Sequence, residues 1–149
     1  MNMKTSSPSE TRLDSPAHER ASKRSSRETA ILWLEAVLAL GAFGGAIALI
    51  TGSIDFGEST SRLPFGSPVL AGMALALING VLPTVAFAGG LRRRRWARRG
   101  HLLVGWALMG WIVTQVWVLG PPIAWLQVLY FIWGLVIVGL ALAPPRSRA

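Results

Sequence analysis

Four blocks of nearly uncharged, apolar sequence dominate this chain, each close to the roughly 20 residues that a helix needs to cross a bilayer core. They run from about 30 to 50, 69 to 91, 102 to 119 and 123 to 143. In hydrocarbon a backbone must satisfy its own N–H and C=O groups, so such blocks are helical. The expected fold is therefore all-α: a polytopic membrane protein with four transmembrane helices in an antiparallel bundle. Composition agrees, with 52% hydrophobic and 15% charged residues over 149 positions and a mean hydropathy of +0.46. The blocks form one membrane domain, 29–143. Before it, residues 1–28 are polar and mixed in charge, too poor in apolar surface to offset ordering entropy, and read as a disordered tail. Residues 144–149 form a short C-terminal tail.

Orientation follows from the basic residues. The N-terminal tail, second loop and C-terminal tail carry six, six and two Lys or Arg, whereas the first loop carries Arg62 alone and the third none. An even number of spans puts both termini on one side, and the excess of positive charge assigns that side to the cytoplasm. Arg-rich, Ala/Gly/Trp-rich usage suggests a GC-rich bacterial genome, hence a bacterial plasma membrane. The N-terminal tail is long and acidic for a signal peptide, and no convincing cleavage site follows the first block, which reads as a signal anchor.

Several chemistries are disfavoured. There is no Cys, and hence no disulfide, thiolate metal site or thiol nucleophile. The two histidines, His18 and His101, stand far apart in sequence. No P-loop or nucleophile elbow occurs, and Gly41, Gly44 and Gly45 lie inside an apolar block with no strand before them. No catalytic residue, metal site or cofactor is expected. The basic clusters flank membrane blocks and accompany no reading module, which argues against nucleic acid.

The helix faces supply the candidate sites. Small residues permit close approach where lipid offers no hydrophobic drive to association. Ala39, Ala42 and Ala46 share a face in the first span, and Gly72, Ala76 and Gly80 recur at every fourth position in the second. These two faces are expected to meet. Glu35 shares the first face, about five residues inside its span, or roughly 8 Å deep at 1.5 Å per residue. An intramembrane carboxylate is expensive and marks a site by default. Thr84 on the second span is its expected donor, and Asn79, adjacent to the Gly72–Gly80 face, is a further candidate polar residue. The plainer readings are a structural hydrogen bond, snorkelling, or an Arg partner from the second loop. Gln115 and Gln127 should lie at similar depth and bond across the third and fourth helices. Trp33 and Trp106 suit one interface, Trp117 and Trp125 the other. Trp111 and Trp133 fall near the midplane, where they pack between helices or face a flat apolar ligand such as a quinone. Arg92, Arg93, Arg94, Arg95, Arg98 and Arg99 set topology and are candidates for contact with anionic lipid headgroups.

Four stretches carry a resemblance: Glu35 opening the first span, 63–68 before the second, 110–115 in the third and 125–131 opening the fourth. In these the chain resembles small four-helix integral membrane proteins of actinobacteria over about residues 30–143. The resemblance implies the architecture and no particular activity. Small multidrug-resistance transporters also have four helices and a first-helix glutamate. Their glutamate is more central, and they lack a long first loop and N-terminal tail, so their mechanism is not carried over.

These features suit a non-enzymatic accessory or scaffold subunit, working with a membrane-protein partner or as a homo-oligomer. The alternatives are a proton-coupled small-molecule carrier acting as an oligomer and a protein that binds quinone or another apolar ligand.

Overall fold

The computed structural model describes residues 25–54, 61, 66–120 and 125–144. Helix α1 spans Ser26–Ile50, and α2 (Pro68–Leu75) leads through a π-helical segment, Ala76–Val81, into α3 (Leu82–Leu91). Helices α4 (Ala97–Leu119) and α5 (Trp125–Leu142) complete the order. With α2, the π segment and α3 taken as one rod, Pro68–Leu91, four helices are long and apolar enough to cross a membrane. The chain is an all-helical, multi-pass membrane protein. Its outward face is apolar, as lipid requires: Leu40 is 73% exposed and Trp117 84% exposed.

Two boundaries move from those expected. Helix α1 begins at Ser26, so 26–28 belong to the first helix and not to the polar tail. Helix α4 begins at Ala97 and takes Arg98, Arg99 and His101 into its first turns. Hydropathy marks where a helix can enter hydrocarbon, but helices continue beyond that edge. The remaining tail residues, 1–24 and 145–149, and most of the first loop lie outside the described residues.

Helix ends are closed locally. Ser67 Oγ accepts from the Leu70 N–H at 3.3 Å, with Pro68 in the first turn, where its missing N–H leaves nothing unpaired. At the end of α1, Ser53 N–H donates to Ala48 O at 2.9 Å and Gly52 N–H to Leu49 O at 3.3 Å. Gly52 takes the left-handed conformation (φ 73°) that this cap requires. The same pair of bonds closes α3, from Arg94 N–H to Gly89 O and from Arg93 N–H to Gly90 O. There the left-handed residue is Arg93, with φ 49°. Glycine is the relaxed choice at that position. Arg93→Gly should therefore raise thermal stability, by about 0.5–1 kcal/mol; unfolding in detergent against the wild type measures it.

The π segment has an identifiable cause. Pro83 has no N–H to give the carbonyl four residues back. The ladder widens just before it, and Leu82 N–H reaches five residues back to Leu77 O. Thr84 Oγ1 donates to the Gly80 carbonyl at 2.8 Å, within the same helix.

The core joins all four spans around Leu38, Ala86, Val104, Leu108 and Ile137, with Leu34, Leu82, Tyr130 and Trp133 packed against it. Glycines allow the closest approaches. A Cβ on Gly72 would lie 3.0 Å from the Ala46 carbonyl, and one on Gly80 would lie 2.9 Å from the Phe43 ring. The small residues of α1, with Ala39, Ala42 and Ala46 all buried, thus face the first half of the second rod. Helices α4 and α5 approach closest at a pair absent from the expected contacts. A Cβ on Gly105 would lie 2.9 Å from Gly134 O, and one on Gly134 would lie 2.9 Å from Gly105 O.

Candidate functional site

Polar groups concentrate at the end of the bundle where α1 starts, α3 stops, α4 starts and α5 stops. Helix α5 ends there without a basic residue of its own in the last turn. Its terminal carbonyls are taken by neighbours. Arg27 Nη1 donates to Ala143 O and, at 3.3 Å, to Pro144 O. Arg98 Nε donates to Ala141 O at 3.0 Å. Cations at a helix C-terminus satisfy orphan acceptors and offset the negative end of the dipole. Two arginines from different helices thus tie α5 to the starts of α1 and α4.

Between these elements lies a cavity of about 510 Å³, lined by Arg27, Arg93, Arg94, Arg95, Arg98 and His101 among others. Among the described residues, Glu28 is the only acidic one on its wall. Trp96 folds back over the turn into space that side chains at Gly89 and Gly100 would occupy. Arg93, Arg94 and Arg95 share the cavity wall with Arg27, Glu28, Ile31 and Leu32 of α1. Arg92 and Arg99 are exposed and do not line the cavity.

Beneath the cavity sits the one buried carboxylate among the described residues. Glu35 is 0% exposed, and its Oε1 stands 2.7 Å from His101 Nδ1. One proton lies between these atoms. The second oxygen, Oε2, is buried with no hydrogen-bond partner among the described residues. Gly90 makes room for the imidazole: a Cβ there would lie 3.0 Å from His101 Cε1 and 2.8 Å from Leu32 Cδ2.

This corrects the expected environment of Glu35. Thr84 is not its donor, because the threonine bonds back to Gly80 and faces outward. Nor does the carboxylate snorkel or pair with an arginine of the loop. The helix starts earlier than expected, so Glu35 lies nine residues from Ser26, roughly 14 Å along the axis. His101 was the residue missed. It sits at the edge of its block and looks like part of the charged loop. Only the inclusion of 97–101 in α4 turns it inward.

A second cavity, of about 190 Å³, lies farther along the bundle between α1, the π segment, α4 and α5. Asn79, Trp111, Gln115 and Tyr130 line it, with Leu108 on the same α4 face as Trp111 and Gln115. Gln115 is therefore turned to this cavity and does not bond to Gln127, which is half-buried on α5. The expected bridge between the two glutamines is not formed. Trp133 packs against the core with its ring 6.1 Å from that of Tyr130. Among the described residues no group of three His, Cys, Asp or Glu is placed to hold a metal ion.

No family model matches this chain, and no curated protein or solved structure matches it either.

Proposed function

We propose that this chain is a non-enzymatic accessory protein of a bacterial plasma membrane, with both termini cytoplasmic, that seats on an anionic lipid headgroup at its basic end. The observation that carries this reading is the 510 Å³ cavity, where, among the described residues, five arginines and His101 face a single glutamate. Basic groups at the cytoplasmic leaflet each contribute about 1 kcal/mol of attraction to anionic lipid. Guanidinium groups also match phosphate with paired donors. Arg93 holds a left-handed backbone at the cavity wall, where glycine would be relaxed. Strain of that kind at a functional position supports the assignment. The distribution of Lys and Arg supports the orientation. The accessory role draws support from the polar groups already engaged in structure: Glu35 with His101, and Arg27 and Arg98 with the end of α5.

The test is lipid retention by the full chain in nanodiscs containing phosphatidylglycerol or phosphatidylcholine. Phosphatidylglycerol should be retained selectively. Arg94→Gln with Arg95→Gln, which leaves the helix-capping arginines in place, should weaken retention by about 30-fold. Equal retention of both lipids, or no change in the double variant, would remove the reading. Co-purification from native membranes tests the accessory role by a stoichiometric protein partner.

One observation favours the carrier as a second reading. His101 lines the basic cavity and touches the buried Glu35, so a proton has a route inward. Proton-coupled flux in liposomes that Glu35→Gln abolishes would support it, and retained flux would dismiss that residue from the mechanism.

A further inference from the structure

The second cavity is distinct from the basic end, and its wall contains an unmet hydrogen-bond donor. Asn79 is 2% exposed, and its Nδ2 has no partner among the described residues. A buried amide donor left unpaired costs about 1–3 kcal/mol. Asn79 stands in the π segment, where the widened turn displaces it from a regular helix face. Such segments often occur at functional sites. Of the other wall residues, Tyr130 and Gln115 offer polar groups, Trp111 offers a flat ring face, and Leu38 and Leu108 are apolar.

We infer that this cavity binds an uncharged ring bearing an acceptor oxygen, the chemistry of a quinone headgroup, with that oxygen accepting from Asn79 Nδ2. Size sets the first limit. A dry cavity of about 150 Å³ holds benzene, so about 190 Å³ admits one substituted ring. Charge sets the second. Among the described residues no ionisable carboxylate, ammonium or guanidinium lines the cavity, so a charged ligand would be left unpaired. Access sets the third. Gly41 is both exposed and on the cavity wall, so the cavity reaches the outer face of α1 there. The position of a Cβ on Gly41 lies 3.6 Å from the Tyr130 hydroxyl. A ligand dissolved in lipid enters at this mouth, and an isoprenoid tail would remain outside in the hydrocarbon.

The full chain in nanodiscs, titrated with the single-ring quinone duroquinone and followed by tryptophan fluorescence, tests the inference. A saturable quenching component should appear above the linear background of quinone partitioning into lipid. Asn79→Leu should weaken it by about tenfold, the loss of one buried hydrogen bond. The same variant should keep or raise thermal stability, because it removes an unpaired amide, so weaker binding would not reflect unfolding. Gly41→Leu leaves the amide in place but fills the mouth, and it should also suppress the saturable component. Quenching that never saturates would overturn the site. So would saturable quenching with the same affinity in both variants.

Discussion

His101→Ala should destabilise the bundle by about 3–5 kcal/mol, the usual result of removing one partner from a buried ionisable pair. Glu35 cannot turn to water: it is 0% exposed, and its second oxygen already lacks a hydrogen-bond partner. Losing the 2.7 Å contact leaves both oxygens unsatisfied. Glu35→Gln keeps the side chain's shape and a carbonyl acceptor for an imidazole N–H, so it should cost less. Replacing both residues by leucine should recover most of the loss, because an apolar pair of similar volume often matches or exceeds a buried polar one. Reversible unfolding in mixed micelles measures all four proteins. Adding the single variants Glu35→Leu and His101→Leu completes a cycle whose coupling energy separates the pair from each residue's own packing. If His101→Ala unfolds like the wild type, the contact is dispensable to the fold.

The second large effect is expected at the α4–α5 crossing. Gly134→Ala sets a Cβ 2.9 Å from the Gly105 carbonyl and 2.8 Å from Met109 Cγ. The methionine side chain can swing aside; the carbonyl can move only with its helix. The helices must separate, and overpacking of this kind costs about 1–3 kcal/mol. Gly134→Val should cost more. Gly139 lies on the same helix with nothing within 4 Å of its Cβ position. Gly139→Ala should therefore be neutral or slightly stabilising, and it controls for helix propensity. Thermal unfolding of the three variants gives the comparison, and equal effects at Gly134 and Gly139 would contradict the close crossing.

The sequence discloses membrane spans readily and polar contacts poorly, for physical reasons. Hydrocarbon acts on every residue of a span, so four apolar blocks declare four helices without reference to one another. The pairing of α1 with the following rod was also legible, because Ala39, Ala42, Ala46, Gly72 and Gly80 repeat at helical spacing. A side-chain hydrogen bond needs two residues from different helices in register. That depends on helix starts, tilts and irregular turns that hydropathy does not encode. His101 stands just outside the apolar block 102–119, whereas helix α4 begins at Ala97, five residues before that block. Depth alone pairs Thr84 with Glu35, although a threonine inside a helix can satisfy itself on a carbonyl one turn back. Gln115 was matched to Gln127 by the same criterion, whereas α4 turns it toward the second cavity. Gly105 and Gly134 each stand singly in their helices, so no periodicity marked them.

The wide turn at Ala76–Val81 has a consequence for how this chain tolerates change. A π turn is, in effect, one extra residue accommodated in an α-helix, and it delays the following residues by about 100° of rotation. Before it, Gly72 faces α1; after it, Ala86 lies against Gly100 of α4. The rod thus keeps α1 beside it along its length and gains α4 as a neighbour in its second half. Loss of a single codon within this segment would remove that extra residue and rotate everything after it in the same membrane. It would also turn Ala86, Gly89 and Gly90 away from their present neighbours, and with Gly90 goes the space that admits His101. Insertions and deletions in the polar tails should be absorbed, while a one-residue deletion here would change which helices the second half of the rod recognises.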